Sequence, residues 1–145
     1  MISYLDTSFL FKLYIFESES DHADDLLQPR DQQPMISWLS EVEMVSALTA
    51  RSADAAGELE RRISQAAHLQ FRLDSQNALY RIVAMDRAIF DRAKSLGLQY
   101  GPRYRVRALD ILHVAAALHH GATAFGTFDR RQASMARDEG LNLLE

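Results

Sequence analysis

Apolar and polar positions fall into two kinds of run along the chain. Short apolar runs at "ISYL" (2–5), "PMISW" (34–38), "LYRIVAM" (79–85), "TAFGTF" (123–128) and "LNLL" (141–144) predict strands. Longer stretches with apolar residues three or four apart predict helices. "DTSFLFKLYI" begins one, with Asp6 and Thr7 able to cap it ahead of Phe9, Leu10 and Leu13. "SESDHADDLLQ" (18–28) is acid-rich and reads as a solvated helix. "SEVEMVSALTAR" (40–51) and residues 54–73 predict two antiparallel helices joined near Ser52–Asp54. Leu59, Ile63, Ala66, Leu69 or Gln70, and Leu73 form a stripe on the second. "DRAIFDRAKSLGL" (86–98) predicts a helix ending near Gly97, followed by a loop, "QYGPRYRVR". "ALDILHVAAALHHG" (108–121) is a nearly all-apolar helix with a glycine at its C-cap, and "DRRQASMARDEG" (129–140) a last helix ending at Gly140.

Strands alternating with helices predict an α/β fold, a parallel sheet covered on both faces. No repeat, low-complexity segment or linker interrupts the pattern, so the 145 residues are expected to form one domain, 1–145.

Composition narrows the chemistry. The chain has no cysteine, which excludes disulfides, thiolate catalysis and Cys-based zinc sites. The apolar N-terminus lacks a basic region ahead of it and carries Asp6 and Lys12, unlike a signal peptide, and no stretch approaches a membrane span of about 20 apolar residues. A cytoplasmic protein without membrane association is expected. The net charge of −4 is unevenly spread: residues 1–50 hold nine acids against Lys12 and Arg30, whereas residues 51–145 hold fourteen arginines and lysines against eleven acids. Local charge can therefore attract an anionic partner that the total would repel.

Ligands of an open parallel sheet bind at the carboxyl ends of its strands. Asp6, Asp86 and Asp129 each follow a predicted strand, and each also precedes a helix, so that capping explains any one of them alone. "DRRQ" (129–132) has the Asp-x-x-Gln form of a capping box. Asp110 is different: it lies in an apolar run with Leu109, Ile111 and Leu112 about it, where an unpaired carboxylate is costly. A cation, an arginine or a metal ion is expected to compensate it, and His113 one turn on is a candidate neighbour for local hydrogen bonding. "SEVE" (40–43) fits Ser-x-x-Glu, leaving open whether Glu43 caps a helix or faces inward, and whether Glu41 takes its place. No glycine-rich phosphate loop, HExxH or GxSxG occurs. Carboxylates without thiols or clustered histidines select hard ions such as Mg²⁺ or Mn²⁺.

"YLDTSFL", "ISWLSEVEMVSAL", "LDILHVAAAL" and "FGTFDRRQASMARDEGLNL" resemble, in order and spacing, the motifs of PIN-domain ribonucleases, particularly the toxins of VapBC-type toxin–antitoxin pairs. The resemblance covers essentially the whole chain. It implies a three-layer α/β/α sandwich on a short, mostly parallel sheet. It also implies divalent-metal-dependent cleavage of RNA, inhibition by a cognate antitoxin and a tendency to form a homodimer. The family's acids fall on Asp6, Glu43, Asp110 and Asp129, and Ser8 matches the hydroxyl that follows the first aspartate; Asp86 matches none and is left as a cap. In this reading Asp6, Asp110 and Asp129 hold Mg²⁺ (or Mn²⁺), and Glu43 orients or deprotonates the attacking water. Ser8 hydrogen-bonds Asp6 or a phosphate, or caps the helix start. Arg103, Arg105 and Arg107, interleaved with Tyr100 and Tyr104, are candidates for gripping RNA. The 59–73 helix, with Met44, Val45 and Leu48, is expected to serve core packing and homodimer contact, or to offer a groove for the antitoxin.

Two other functions use the same residues. In a catalytically silent RNA- or protein-binding module, Asp6 and Asp129 only cap helices. In aspartyl phosphotransfer Asp6 is the nucleophile, but Ser8 stands where haloacid-dehalogenase-like enzymes usually carry a second aspartate.

Overall fold

The computed structural model describes residues 1–27 and 33–145. Gln28, the last residue of the expected acid-rich helix, lies outside the described residues. The elements run β1 (Ser3–Leu5), α1 (Thr7–Tyr14), α2 (Ser20–Leu26), β2 (Met35–Ser37), α3 (Trp38–Asp54), α4 (Glu58–Gln76), β3 (Arg81–Val83), α5 (Arg87–Tyr104), α6 (Ala108–His119), β4 (Ala124–Gly126), α7 (Arg130–Asp138) and β5 (Asn142–Leu143). Among the described residues the strands form one sheet in the order β3-β2-β1-β4-β5, with every pairing parallel.

The two-residue period of a strand builds the layers. Tyr4 and Met35 enter one core with Ile89, Leu96, Val114 and Met135 of α5, α6 and α7. Their neighbours Leu5 and Ile36 enter the other with Phe9, Met44, Leu48 and Phe71 of α1, α3 and α4. Alternate side chains of three-residue strands thus supply both faces, giving the expected α/β/α sandwich. No helix among the described residues is long and apolar enough to cross a membrane.

Gly126 holds the centre of the sheet close. A Cβ there would stand 2.9 Å from Leu5 Cδ2 and 3.0 Å from Phe9 Cδ2, so only glycine lets β4 lie against the end of β1 and the first turn of α1. The register pairs Leu5 with Gly126, and Asp6 N–H donates to the Gly126 carbonyl at 3.0 Å.

Three helices differ from the pattern-based reading. Helix α5 does not stop near Gly97 but continues to Tyr104, absorbing much of the expected loop and Pro102. Its final turns are tied to α7: Tyr100 donates to Glu139 at 2.7 Å, while Tyr104 and Arg103 both reach Asp138, at 2.7 and 3.1 Å. Arg105 closes the helix in the left-handed conformation, at φ 53°. Helix α3 starts before Ser40, because Ser37 is the N-cap and forms the reciprocal capping box with Ser40. That removes the expected Ser40–Glu43 box and leaves Glu43 inside the helix. Helix α4 buries Ser64, Ala67 and Phe71, whereas Leu59, Ile63, Leu69 and Leu73 of the expected stripe are exposed. Ser64, Ala67 and Phe71 take the inward face, so the leucines and Ile63 of the stripe face outward.

Candidate active site

The strand ends and helix starts open onto a cleft of about 610 Å³ lined by Asp6, Glu43, Asp110 and Asp129. Each acid comes from a different place in the fold: the end of β1, the middle of α3, the first turn of α6 and the start of α7.

Asp6 is the buried member, 3% exposed. It caps α1 through Phe9 N–H, which donates to Oδ1 at 2.9 Å. Ser8 Oγ donates to the same oxygen at 2.8 Å, and Thr127 Oγ1 donates to Oδ2 at 2.7 Å. Ser8 Oγ also accepts Phe128 N–H at 2.9 Å, so this hydroxyl ties Asp6 to the chain beyond β4. Burial pushes the Asp6 carboxyl above its usual range, against the opposing pull of His113, Thr127, Phe9 N–H and Ser8. Capping and a place in the pocket are thus not alternatives for this residue.

Asp129 is likewise a cap. Its Oδ1 accepts Arg131 N–H at 2.8 Å and Gln132 N–H at 2.9 Å. Gln132 does not complete the expected capping box. It is fully buried, donates from Nε2 to the Asp110 carbonyl at 3.0 Å and places Oε1 2.8 Å from Thr127 Oγ1. One amide side chain therefore joins the starts of α6 and α7 to the end of β4.

Asp110 is not sealed among apolar neighbours as the sequence suggests. Helix α6 begins only two residues before it, which leaves its side chain 18% exposed beside a half-exposed Leu109. Its compensating group is Arg107, whose Nε donates to Oδ2 at 3.1 Å. Glu43 lines the pocket and Glu41 does not. His113 Nε2 lies 2.5 Å from Glu43 Oε1, and Thr7 Oγ1 donates to the same oxygen at 3.2 Å. Asp86 lies outside the pocket, capping α5 through Ile89 N–H at 3.1 Å with His119 nearby at 3.4 Å.

The basic candidates separate. Arg107 lines the pocket, but Arg103 is held by Asp138 and Arg105 is exposed at the end of α5; neither lines it. Lys12 does line it, which the sequence reading missed. Its Nζ pairs with Glu17 at 3.0 Å and Glu19 at 3.4 Å and sits 5.2 Å from the centre of the Phe128 ring.

The acids are all-oxygen donors, the chemistry of a hard divalent ion. Among the described residues no group of three or more His, Cys, Asp or Glu side chains is set to hold a metal by itself. Mg²⁺ suits such a site, since it keeps several waters and is commonly bound by only one or two carboxylates together with substrate phosphate.

The family model for the PIN domain matches residues 3–138. The chain belongs to the PIN domain family. Several solved structures share its fold at low sequence identity. VapC20 of Mycobacterium tuberculosis, described as a sarcin-ricin loop cleaving toxin, is 20% identical with a TM-score of 0.69, over 91% of this chain and 93% of that one. FitAcB of Neisseria gonorrhoeae is 16% identical with a TM-score of 0.67, over 99% and 97%. VapBC2 of Rickettsia felis, bound to a DNA fragment from its promoter, is 15% identical with a TM-score of 0.67, over 99% and 97%. No curated protein matches the chain by sequence. In this PIN domain Thr7, His113, Thr127 and Gln132 complete the surroundings of the four acids. Their signals in the sequence were faint: a lone histidine three residues after Asp110, a hydroxyl one residue after Asp6 and another two residues before Asp129.

Proposed function

We propose that the chain is a divalent-metal-dependent endoribonuclease, the toxin of a cytoplasmic toxin–antitoxin pair, formed by a single domain. The observation that carries this is the convergence of Asp6, Glu43, Asp110 and Asp129 on one cleft of a PIN domain. Asp6, Asp110 and Asp129 hold Mg²⁺ or Mn²⁺, which when bound polarises a phosphoryl oxygen and lowers the pKa of a coordinated water. Ser8 and Thr127 fix the Asp6 carboxylate, so Ser8 serves the acid rather than the substrate. Glu43 orients water and accepts its proton. Arg107, beside Asp110 on the pocket wall, binds a phosphate of the RNA. Arg103 and Arg105 belong at most to a distant edge of the substrate path.

The partner follows from the same relatives, whose descriptions name FitAB and VapBC assemblies and a Klebsiella pneumoniae toxin–antitoxin complex. Two apolar surfaces support partner contact. A cleft between α1 and α4, lined by Leu13, Ile63 and Leu79 among others, suits a segment of the antitoxin. Trp38 and Val42, both more than half exposed on α3, suit a second copy of the chain.

Incubating the purified chain with a mixed RNA pool and Mn²⁺ tests the reading. Fragments are expected, lost on adding EDTA and absent with Asp110→Asn. A folded wild type that retains RNA uncut with every divalent ion tried would instead establish a silent binding module.

A further inference from the structure

A glutamate in the middle of a helix has three side-chain torsions to fix before it can meet a water molecule in one place. Glu43 is fixed by a single oxygen. Oε1 receives Thr7 Oγ1 and lies 2.5 Å from His113 Nε2, while Oε2 has no hydrogen-bond partner among the described residues. No lysine or arginine pairs with Glu43 among them either.

The histidine is itself held from behind. His113 is 2% exposed, and its Nδ1 lies 2.8 Å from the hydroxyl of the fully buried Tyr4. Tyr4 stacks on Phe125 at 5.6 Å and donates to Ser37 Oγ at 2.8 Å. Ser37 is the cap of α3, the helix that carries Glu43. Glu43, His113, Tyr4 and Ser37 therefore close a loop that begins and ends on one helix, tied through β1 and α6.

Proton placement follows from this loop. A carboxylate oxygen only accepts, so Nε2 carries the hydrogen that meets Oε1. Nδ1 faces the Tyr4 hydroxyl, which links the ring to Ser37, and the Nε2–H bond to Oε1 is the contact that fixes the glutamate.

We propose that His113, anchored by Tyr4, is the positioning residue for Glu43: it clamps Oε1 so that Oε2 alone is presented to water in the pocket. Its catalytic meaning rests on the ribonuclease reading. A fully satisfied buried polar loop of this kind holds the side chains it joins in one arrangement.

The test pairs steady-state cleavage with proton NMR on folded variants. His113→Met is expected to lower kcat by about 10²-fold, the scale of a misplaced catalytic group, with KM unchanged. His113→Gln, which returns an N–H near the Nε2 position, is expected to recover part of the loss, and Tyr4→Phe to lower kcat by about 10-fold. In a Glu43→Gln background, His113→Met is expected to cost nothing further, since the clamp then holds no base. Wild-type kcat in His113→Met, or an equal loss with and without Glu43, overturns the proposal. In the spectrum, a strongly deshielded imidazole proton is expected in wild type and absent from Glu43→Gln. If wild type cuts no RNA, the ribonuclease reading fails and the spectrum decides alone: lack of that proton in wild type, or its survival in Glu43→Gln, removes the clamp.

Discussion

Thr127 Oγ1 donates to Asp6 Oδ2 at 2.7 Å, joining the residue after β4 to the residue after β1 across the most central parallel pair of the sheet. The same hydroxyl accepts Asp129 N–H at 3.0 Å and lies 2.8 Å from Gln132 Oε1. One small side chain thus touches or supports three of the pocket's four acid-bearing segments.

Thr127→Val keeps the shape and removes the hydroxyl, leaving Gln132 Oε1 and Asp129 N–H short of a partner and Asp6 Oδ2 with Ser8 alone. A loss of about 1–3 kcal/mol in urea unfolding is expected, the usual cost of an unsatisfied buried group. Cleavage is expected to fall with it. Thr127→Ser is expected to restore both, and failure of serine to do so would assign the effect to packing.

Asp6 makes the metal-free protein sensitive to pH. Burial raises its folded-state pKa above the unfolded value of about 3.9, so the folded chain holds this proton more tightly. The stability contributed by protonated Asp6 is present below the unfolded pKa and is lost as pH rises through the folded one. Asp6→Asn keeps a cap and stays neutral. It is therefore expected to be more stable than wild type at pH 7, by roughly 0.5–2 kcal/mol, with the gap closing toward pH 4, while cleaving nothing. Denaturation at several pH values in EDTA measures this; parallel pH curves for the two proteins would contradict it.

Divalent ions are expected to reverse that penalty. Mn²⁺ at 100 times its Kd stabilises a protein that binds it only when folded by about 2.7 kcal/mol. Thermal melts of wild type are expected to rise with Mn²⁺ and fall with EDTA, whereas Asp6→Asn and Asp110→Asn are expected to respond weakly. An unchanged wild-type melt would remove the proposed metal site.

The arginines of 103–107 are expected to differ in kind. Arg107→Ala removes a pocket cation and is expected to weaken RNA binding and reduce the slope of log affinity against log salt by about one. Arg103→Ala breaks a surface pair with Asp138 and is expected to leave RNA affinity within a factor of about two, at a cost of at most about 1 kcal/mol in stability. Filter binding across a salt series separates them, and equal effects would restore the continuous basic loop.

These arginines also show where reading the sequence stops. Periodicity and strand-end placement indicated the parallel sheet, its two covered faces, Asp6 and Asp129, because those properties depend on nearby residues; Asp110 stood out by its apolar neighbours, and the grouping of these acids with Glu43 came from the family resemblance. Arg103 was misplaced because its partner Asp138 lies 35 residues away, and a distant acid does not alter the local pattern that suggested a loop. The α4 stripe was visible, but a period gives a face without saying what it meets; Ser64, Ala67 and Phe71 took the inward side. Asp110 looked buried because its neighbours are apolar, although the helix begins just before it and leaves that turn open. Tyr4 and His113 looked like core residues and are, but their buried hydroxyl and ring nitrogens carry the polar link to Glu43.

The order of the sheet gives the pocket a birth date. Among the described residues β1 precedes the other strands and lies in the middle, and the neighbour on its far side, Ala124–Gly126, comes more than a hundred residues later. Until that stretch has been translated, Asp6 has no Thr127 to hold it and no Asp129 across from it. A chain still growing on the ribosome therefore carries Asp6 without its site until the stretch through Asp129 has been made.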